Sequence, residues 1–372
     1  MTAAPSPDVV VIGGGVVGCS VAYYLSRAGV DVTLIERVGV ANGASGNSAG
    51  GLNPLEGDHI PGPLAELAIW SYRLHLDLWR QLPEETSVAF SERIVPWIRI
   101  ALSEDDLPDL RRSFRAFDGA PGFSARMLDS NQVLEMEPRI SGAVLCGVHM
   151  YGNAAVDSLG LTLALMTAAE GKGARFVWAD GRPEPEVSGD ALSVSTGSEM
   201  IAAGAIVVAA GPWSGRSLES AGVQLPIRPI KGEILRMDPP GPMYRQDIAY
   251  PGGEAHPKPD GQVWIGATVE ETGFDTEVTE AARKRLTADA VRAIPSLADS
   301  SLALQTACLR PTTSDGLPAI GRVGGRRDLY VATGGGKKGV LLGPAMGRAI
   351  ADMIVDGHTD APITGFSPDR FG

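Results

Sequence analysis

The chain has 372 residues, 44% hydrophobic and 20% charged, an ordinary globular composition with enough length for two domains. A formal net charge of −12 disfavours nucleic acid and anionic membrane as partners. Cys19, Cys146 and Cys308 show no CxxC or metal spacing, and the five histidines show no H-x-x-x-H pair. The expectation is therefore no metal, no disulfide framework and a reducing, cytoplasmic compartment. The many glycines and prolines avoid low-complexity tracts and read as turns and close backbone approaches.

"DVVVI" at residues 8–12 is a short β-branched run, a buried strand by length and composition. "VVGCSVAYYLSRAG" follows as a helix closed by Gly29, and "DVTLIER" as the next strand, together a β-α-β unit. The uncharged stretch 9–25 is neither a targeting signal nor a membrane span: Asp8 precedes it, three glycines break it, and it is short.

Residues 62–83 predict an amphipathic helix, and 87–100 predict strands, with Pro96 arguing for an edge position. Ser103 caps the helix "EDDLPDLRRSFRAF" with Asp106 as its capping-box partner, and "DSNQVLEMEP" is a short helix ended by Pro138. Asp157 starts a helix that stops near Gly171. "RFVWA" and "LSVST" read as short strands joined by a polar Pro/Gly turn. "AIVVAAGPWSG" (205–215) repeats the N-terminal strand-then-glycine pattern, "IRPIKGEILRM" and "GQVWIGATV" alternate like antiparallel strands, and "TEAARKRLTADAVRAIP" is a helix. The stretch 307–322 leads into strand "LYVAT", then "GGGKKG", then a last helix. Three strand-glycine signals so far apart suggest one nucleotide-binding domain assembled from separated pieces, with a second domain built from the antiparallel segments between them.

Gly13, Gly15 and Gly18 form G-x-G-x-x-G between a strand and a helix. The first glycine permits the tight turn, the second lets a pyrophosphate approach the backbone, and the third lets the helix pack on the strand. Glu36 ends the second strand, where an acid accepts hydrogen bonds from ribose hydroxyls and disfavours a 2′-phosphate. Dinucleotide binding follows; the loop alone leaves FAD and NAD both open.

"VVVIGGGVVGCSVAYYLSRAGVDVTLIER", "ASGNSAGGL", "VVAAGPWSG", "PIKGEIL", "IGATVEETGFD", "LRPTTSDGLPAIGR" and "GVLLGPAMG", in this order, resemble the D-amino-acid oxidase superfamily of flavoproteins, nearest to its glycine oxidase branch. The resemblance implies an α/β fold. An FAD-binding Rossmann-type domain, a parallel sheet with a β-meander, would be assembled from 1–84, 146–225 and 306–372. An α+β substrate domain with a mixed or antiparallel sheet would come from 85–145 and 226–305. It implies FAD as cofactor: Gly13, Gly15, Gly18, Glu36 and Arg37 on the adenosine diphosphate half; Ser45, Gly46, Gly50, Gly51 and Leu52 along the middle and ring; Gly211 as a second phosphate-side glycine. Gly336, Lys337, Lys338, Gly339, Val340 and Leu341 would wrap the pyrimidine edge, where a helix N-terminus favours negative charge.

Arg310, in its "LRP" context, matches the arginine with which the family binds the substrate carboxylate, and a guanidinium suits a planar bidentate pair with that group. A structural ion pair with Asp or Glu is the alternative. The resemblance implies hydride transfer from the substrate Cα to the flavin, hydrolysis of the imine, and oxygen reduced to hydrogen peroxide, with no catalytic base required. Where glycine oxidases carry a tyrosine this chain has Glu254, with His256 two residues on and Tyr250 just outside; a second arginine is replaced by Lys337. Glu254 would pair with a cationic amine or with Lys337, or stand solvated on a loop. Glycine itself is therefore in doubt as substrate. Cys308 falls where sarcosine oxidases attach FAD covalently, or is a buried core thiol. Trp264 falls where they place an oxygen-activating lysine. Three activities stay open: a glycine oxidase-like enzyme, a sarcosine oxidase-like secondary-amine oxidase, and a dehydrogenase or complex subunit passing electrons to a quinone, carrier or partner chain. A flavin-binding subunit with a decayed site is a fourth reading, and a homo-oligomer is compatible with all of them.

Overall fold

The computed structural model describes residues 6–372 except positions 190 and 327. The first five residues of the predicted 1–84 segment lie outside the described residues.

Val9–Ile12 is buried at all four positions, as a central parallel strand must be when both faces are covered. It pairs in parallel with Val32–Glu36 on one side and Ala205–Val208 on the other. The six-stranded sheet reads Ala319–Arg322, Leu329–Thr333, Ala205–Val208, Val9–Ile12, Val32–Glu36, Arg175–Trp178. Only Ala319–Arg322 runs antiparallel to its neighbour. The three strands followed by glycine in the sequence are thus adjacent and parallel. Gly13, Gly211 and Gly334 all leave the sheet at its carboxyl edge, where open α/β sheets bind ligands.

Helix Val16–Arg27 packs closely on Gly339–Val355. Small residues permit the approach: a Cβ at 343 would come within 2.9 Å of Val16, and one at 347 within 2.8 Å of the Ser20 backbone. Helices Ala65–Glu85 and Ser158–Gly171 complete this apolar layer. The opposite face of the sheet is covered by an antiparallel meander, Glu184–Ser188, Ala191–Ser195 and Met200–Ala203. The expectation that "RFVWA" and "LSVST" are joined by a turn is corrected here. An intervening strand, Glu184–Ser188, pairs with the second of them, and the two lie in different sheets.

The second large sheet has eight strands in the order Ser301–Thr313, Ile227–Asp238, Val263–Gly266, Gly253–Pro257, Asp247–Tyr250, Trp97–Ala101, Cys146–Tyr151, Ser124–Asp129. It is antiparallel apart from the pairing of Asp247–Tyr250 with Trp97–Ala101. Pro96 does not mark an edge strand. It separates Glu92–Ile94, which pairs with Ala154–Val156, from Trp97–Ala101, which is interior to the large sheet. Its missing N–H falls in the gap between two sheets.

The helix starts follow local chemistry. Asp129 and Gln132 form a capping box before Ser130–Met136, Ser103 and Asp106 form one before the turn that opens Leu107–Phe117, and Asp157 and Thr279 accept N–H bonds at the starts of Ser158–Gly171 and Glu280–Ala293. The sheets cross the predicted domain boundaries in two places: Cys146–Tyr151 pairs within the eight-stranded sheet, and Ser301–Thr313 runs through position 306. Among the described residues no helix is long and apolar enough to cross a membrane.

Candidate active site

A cavity of about 890 Å³ runs along the carboxyl edge of the parallel sheet and under the inner face of the eight-stranded sheet. At one end the helix Val16–Arg27 presents its N-terminus. Gly13 has φ +112°, and a Cβ there would come to 2.5 Å from the Ala209 carbonyl oxygen. A Cβ on Gly18 would collide with the Gly13 carbonyl, the close helix–strand packing expected of the third glycine. Glu36 is held by three backbone N–H groups, from Gly14 at 2.7 Å and from Arg37 and Val38 at 2.8 Å. Its carboxylate is fixed at the tip of its strand with its rim on the cavity. Ser45 accepts the Val16 N–H at 2.9 Å, tying the 41–52 segment to the helix start.

The predicted cofactor residues divide into two groups. Gly13, Gly15, Glu36, Arg37, Ser45, Gly50, Gly51, Gly211, Gly336, Lys337, Lys338, Gly339 and Val340 line the cavity. Gly18, Gly46, Leu52 and Leu341 stand behind it: a Cβ on Gly46 would strike the Ala41 carbonyl, and Leu52 and Leu341 are core. Arg182, Trp213 and Arg216 also line the wall; Trp213 and Arg216 follow the strand-then-glycine signal at 205–211, which marks the turn but not which of the side chains after it face the cavity.

The other end is roofed by the eight-stranded sheet, whose pleat aims alternate residues inward. Arg310 and Cys308 come from Ser301–Thr313, and Glu254 and His256 from Gly253–Pro257; all four line the cavity. The Arg310 guanidinium donates from Nη1 to the Thr268 carbonyl at 3.0 Å. Among the described residues no carboxylate lies within ion-pair distance of it, and burial lowers its pKa. Beside it burial pushes the Cys308 thiol up, only partly offset by the Arg310 charge.

His256 is protonated between two carboxylates. Its Nδ1–H donates to Asp247 Oδ2 at 2.7 Å and its Nε2–H to Glu254 Oε2 at 3.2 Å. Burial works against the charge, but Asp247 and Glu254 raise the imidazole pKa to about 9. Burial likewise opposes ionisation of Glu254, yet the His256 hydrogen bond and charge, with Arg99 and Lys338, hold its carboxyl below the usual range. Glu254 is therefore an anion on the cavity wall.

Three expectations change. Glu254 does not pair with Lys337, which projects outward to Asp58 at 3.3 Å; its partner is His256. Lys338 is the lysine that turns inward, donating to the Asn53 carbonyl at 2.8 Å across Gly57, whose missing side chain leaves it room. Burial lowers its pKa to about 8 against the pull of Glu254, Glu56 and Asp58. Tyr250, placed outside from sequence, is buried on the cavity wall. Trp264 lies off the cavity, between Arg236 at 4.0 Å and Lys258 at 4.7 Å. Asp247 and Thr268 escaped sequence reading because their roles depend on cross-strand neighbours.

The family model for FAD-dependent oxidoreductases of the DAO type matches residues 8–353. The chain belongs to this family. FAD is its cofactor, and the residues present fit the group: the elongated cavity, the glycines that leave a helix N-terminus open to it and the strand-end acid at Glu36 suit an extended dinucleotide. Among DAO-family relatives, the glycine oxidase of Geobacillus kaustophilus is 30% identical over 367 residues, covering 98% of this chain and 97% of that one. A crystal structure of glycine oxidase from the same organism superposes with a TM-score of 0.90 at 29% identity, covering 97% of this chain and 98% of the other. The glycine oxidase of Pseudomonas aeruginosa is 29% identical over 357 residues, 94% and 95% of the two chains. The crystal structure of iminodiacetate oxidase from Chelativorans sp. BNC1 has a TM-score of 0.88 at 26% identity, covering 97% and 98%.

Proposed function

We propose that the protein oxidises the primary or secondary amine of an amino acid, with Arg310 holding the substrate carboxylate. The observation that carries this reading is a half-buried guanidinium on the cavity wall with one carbonyl partner and, among the described residues, no acid within ion-pair distance. A charge drawn partly out of water without a counter-ion is costly, and a bidentate carboxylate meets its remaining N–H groups. The similarity to glycine oxidases and to iminodiacetate oxidase, whose named substrates all carry an amine and a carboxylate, supports the same class.

In this reading the parallel sheet carries the cofactor and the eight-stranded sheet forms the substrate roof. Arg310 fixes the carboxylate and thereby the direction of the Cα–H bond. Glu254, kept ionised by His256, accepts an N–H of the substrate amine. Lys338 and the N-terminus of Gly339–Val355 put positive charge at one end of the cavity. When bound, FAD supplies the acceptor for the hydride leaving Cα, and oxygen takes the electron pair from it to give hydrogen peroxide. The imine product then hydrolyses to an oxo acid and ammonia, or to an amine if the substrate was secondary.

The test is to follow flavin absorbance while glycine, sarcosine, D-alanine, D-proline, iminodiacetate and a basic D-amino acid are added without oxygen, then to admit air. Bleaching by one of them with colour and peroxide returning in air is expected. Bleaching that persists in air would replace the oxidase with a dehydrogenase. No bleaching by any of them would overturn the substrate class.

A further inference from the structure

Gly232 lies on the strand Ile227–Asp238, opposite Cys308 and one step diagonal to Arg310 on the neighbouring strand. It is a buried strand residue without a left-handed φ, so its backbone makes no demand for glycine. What it meets is a side chain. A Cβ built at 232 would come to 2.5 Å from Arg310 Nη1 and closer still to Cζ and Nη2. The guanidinium therefore lies flat across the backbone of Gly232, with Nη1 reaching the Thr268 carbonyl at 3.0 Å.

The two flanking residues point to the opposite face and fix that carbonyl. Lys231 pairs through its backbone with Glu270, and the Glu233 N–H donates to Thr268 Oγ1 at 2.9 Å. The Lys231 ammonium donates to Asp275 at 2.9 Å, and Glu233 accepts from Thr279 and Gln305. Both side chains are fully buried. The tripeptide Lys231-Gly232-Glu233 thus clamps the 268–279 segment on one face and leaves a bare floor on the other.

We propose that Gly232 is a positioning residue for Arg310: the bare floor at 232, with the Thr268 carbonyl beside it, sets the guanidinium in its carboxylate-receiving pose. This rests on the reading of Arg310 given above. A methyl group at 232 lifts the guanidinium off the sheet. Because the blocked atoms are the far end of a flexible side chain, the fold tolerates the change while the carboxylate site does not.

The test uses the FAD-loaded protein and its Gly232→Ala, Arg310→Ala and doubly substituted forms. Acetate and benzoate serve as carboxylate probes, read by perturbation of flavin absorbance, alongside FAD content and melting temperature. Gly232→Ala is expected to weaken probe binding by about 10- to 100-fold with FAD retained, and to add nothing in the Arg310→Ala background. Wild-type probe binding in Gly232→Ala, with binding lost in Arg310→Ala, overturns the inference and leaves the Arg310 reading standing. Equal losses from Gly232→Ala in both backgrounds overturn it too. Unchanged binding in Arg310→Ala sinks the Arg310 reading and this one with it. If Gly232→Ala alone fails to fold, Arg310→Ala must restore folding by removing the obstructed group; failure to do so shows that the space at 232 serves something other than the guanidinium.

Discussion

His75 repairs the helix that Pro344 interrupts. Pro344 lies inside Gly339–Val355 and has no N–H to give the Val340 carbonyl four residues back. The His75 Nε2–H donates to that carbonyl at 3.0 Å and to the Leu341 carbonyl at 3.1 Å. One turn earlier on the same helix, Ser71 donates to Leu341 and accepts the Ala345 N–H at 3.2 Å. Helix Ala65–Glu85 thus holds the end of Gly339–Val355 that faces the cavity.

Stability should fall at acid pH because of His75. Burial lowers its pKa to about 4, against about 6.5 in an unfolded chain. The unfolded state therefore binds the proton first as pH falls. The contribution is fully present above about pH 6.5 and is lost progressively as pH falls toward 4, a change of about 3 kcal/mol. Melting temperatures of wild type and His75→Ala across this range check it. The variant should lose the acid limb, and should be less stable near neutrality by about 1–3 kcal/mol for the orphaned carbonyls.

The opposite limb belongs to His256. Its pKa is raised to about 9, so its stabilising charge is fully present below the unfolded value of about 6.5 and is lost as pH rises through 9. Asp247, Glu254, Arg93, Arg99, Lys258 and Lys338 are charged groups of its surroundings. Thermal melts of His256→Asn should show a flattened alkaline limb and an unchanged acid one. An alkaline limb identical to wild type would remove His256 from the explanation.

Arg310→Ala should raise KM for the substrate about a hundredfold or more, since two charge-assisted hydrogen bonds are lost. FAD should stay bound, because Arg310 meets only the substrate end of the cavity. Arg310→Lys should recover part of the loss, as a point charge without the fork. A KM unchanged in Arg310→Ala would move the carboxylate elsewhere.

Glu254→Gln should raise KM about tenfold by replacing a charged acceptor of the amine with a neutral one. Steady-state kinetics over substrates of different side-chain length measure it. An effect confined to basic side chains would place Glu254 at the side-chain end of the substrate rather than at its amine.

FAD should be released intact when the protein is denatured in acid. Cys308 faces the cavity, but burial holds it as a thiol rather than the thiolate that bond formation needs. A yellow pellet with a colourless supernatant would show a covalent bond.

Much of the fold was legible because its signals are local. Strand, glycine and helix at residues 9–27 can be read from spacing alone, since the turn and the phosphate approach each require a missing side chain at a fixed position. The capping residues Ser103 and Asp157 were equally readable, because a cap and its helix are sequence neighbours. Pro96 misled for the same reason: a proline says that an N–H is missing, not whether the gap lies at a sheet edge or between two sheets.

By itself the sequence marked Gly13, Gly15 and Glu36 as a dinucleotide loop and, through its "LRP" context, Arg310 as the candidate carboxylate ligand. Only the tertiary structure decided what surrounds that arginine. Lys337 and Lys338 are adjacent in sequence, yet one turns out to Asp58 and the other in to Asn53. Asp247, Glu254 and His256 become one charged chain only when two strands pair, and Gly232 becomes the floor of Arg310 only in the observed register. Charges and clearances between strands are set by distance in space, and a sequence states distance only along the chain.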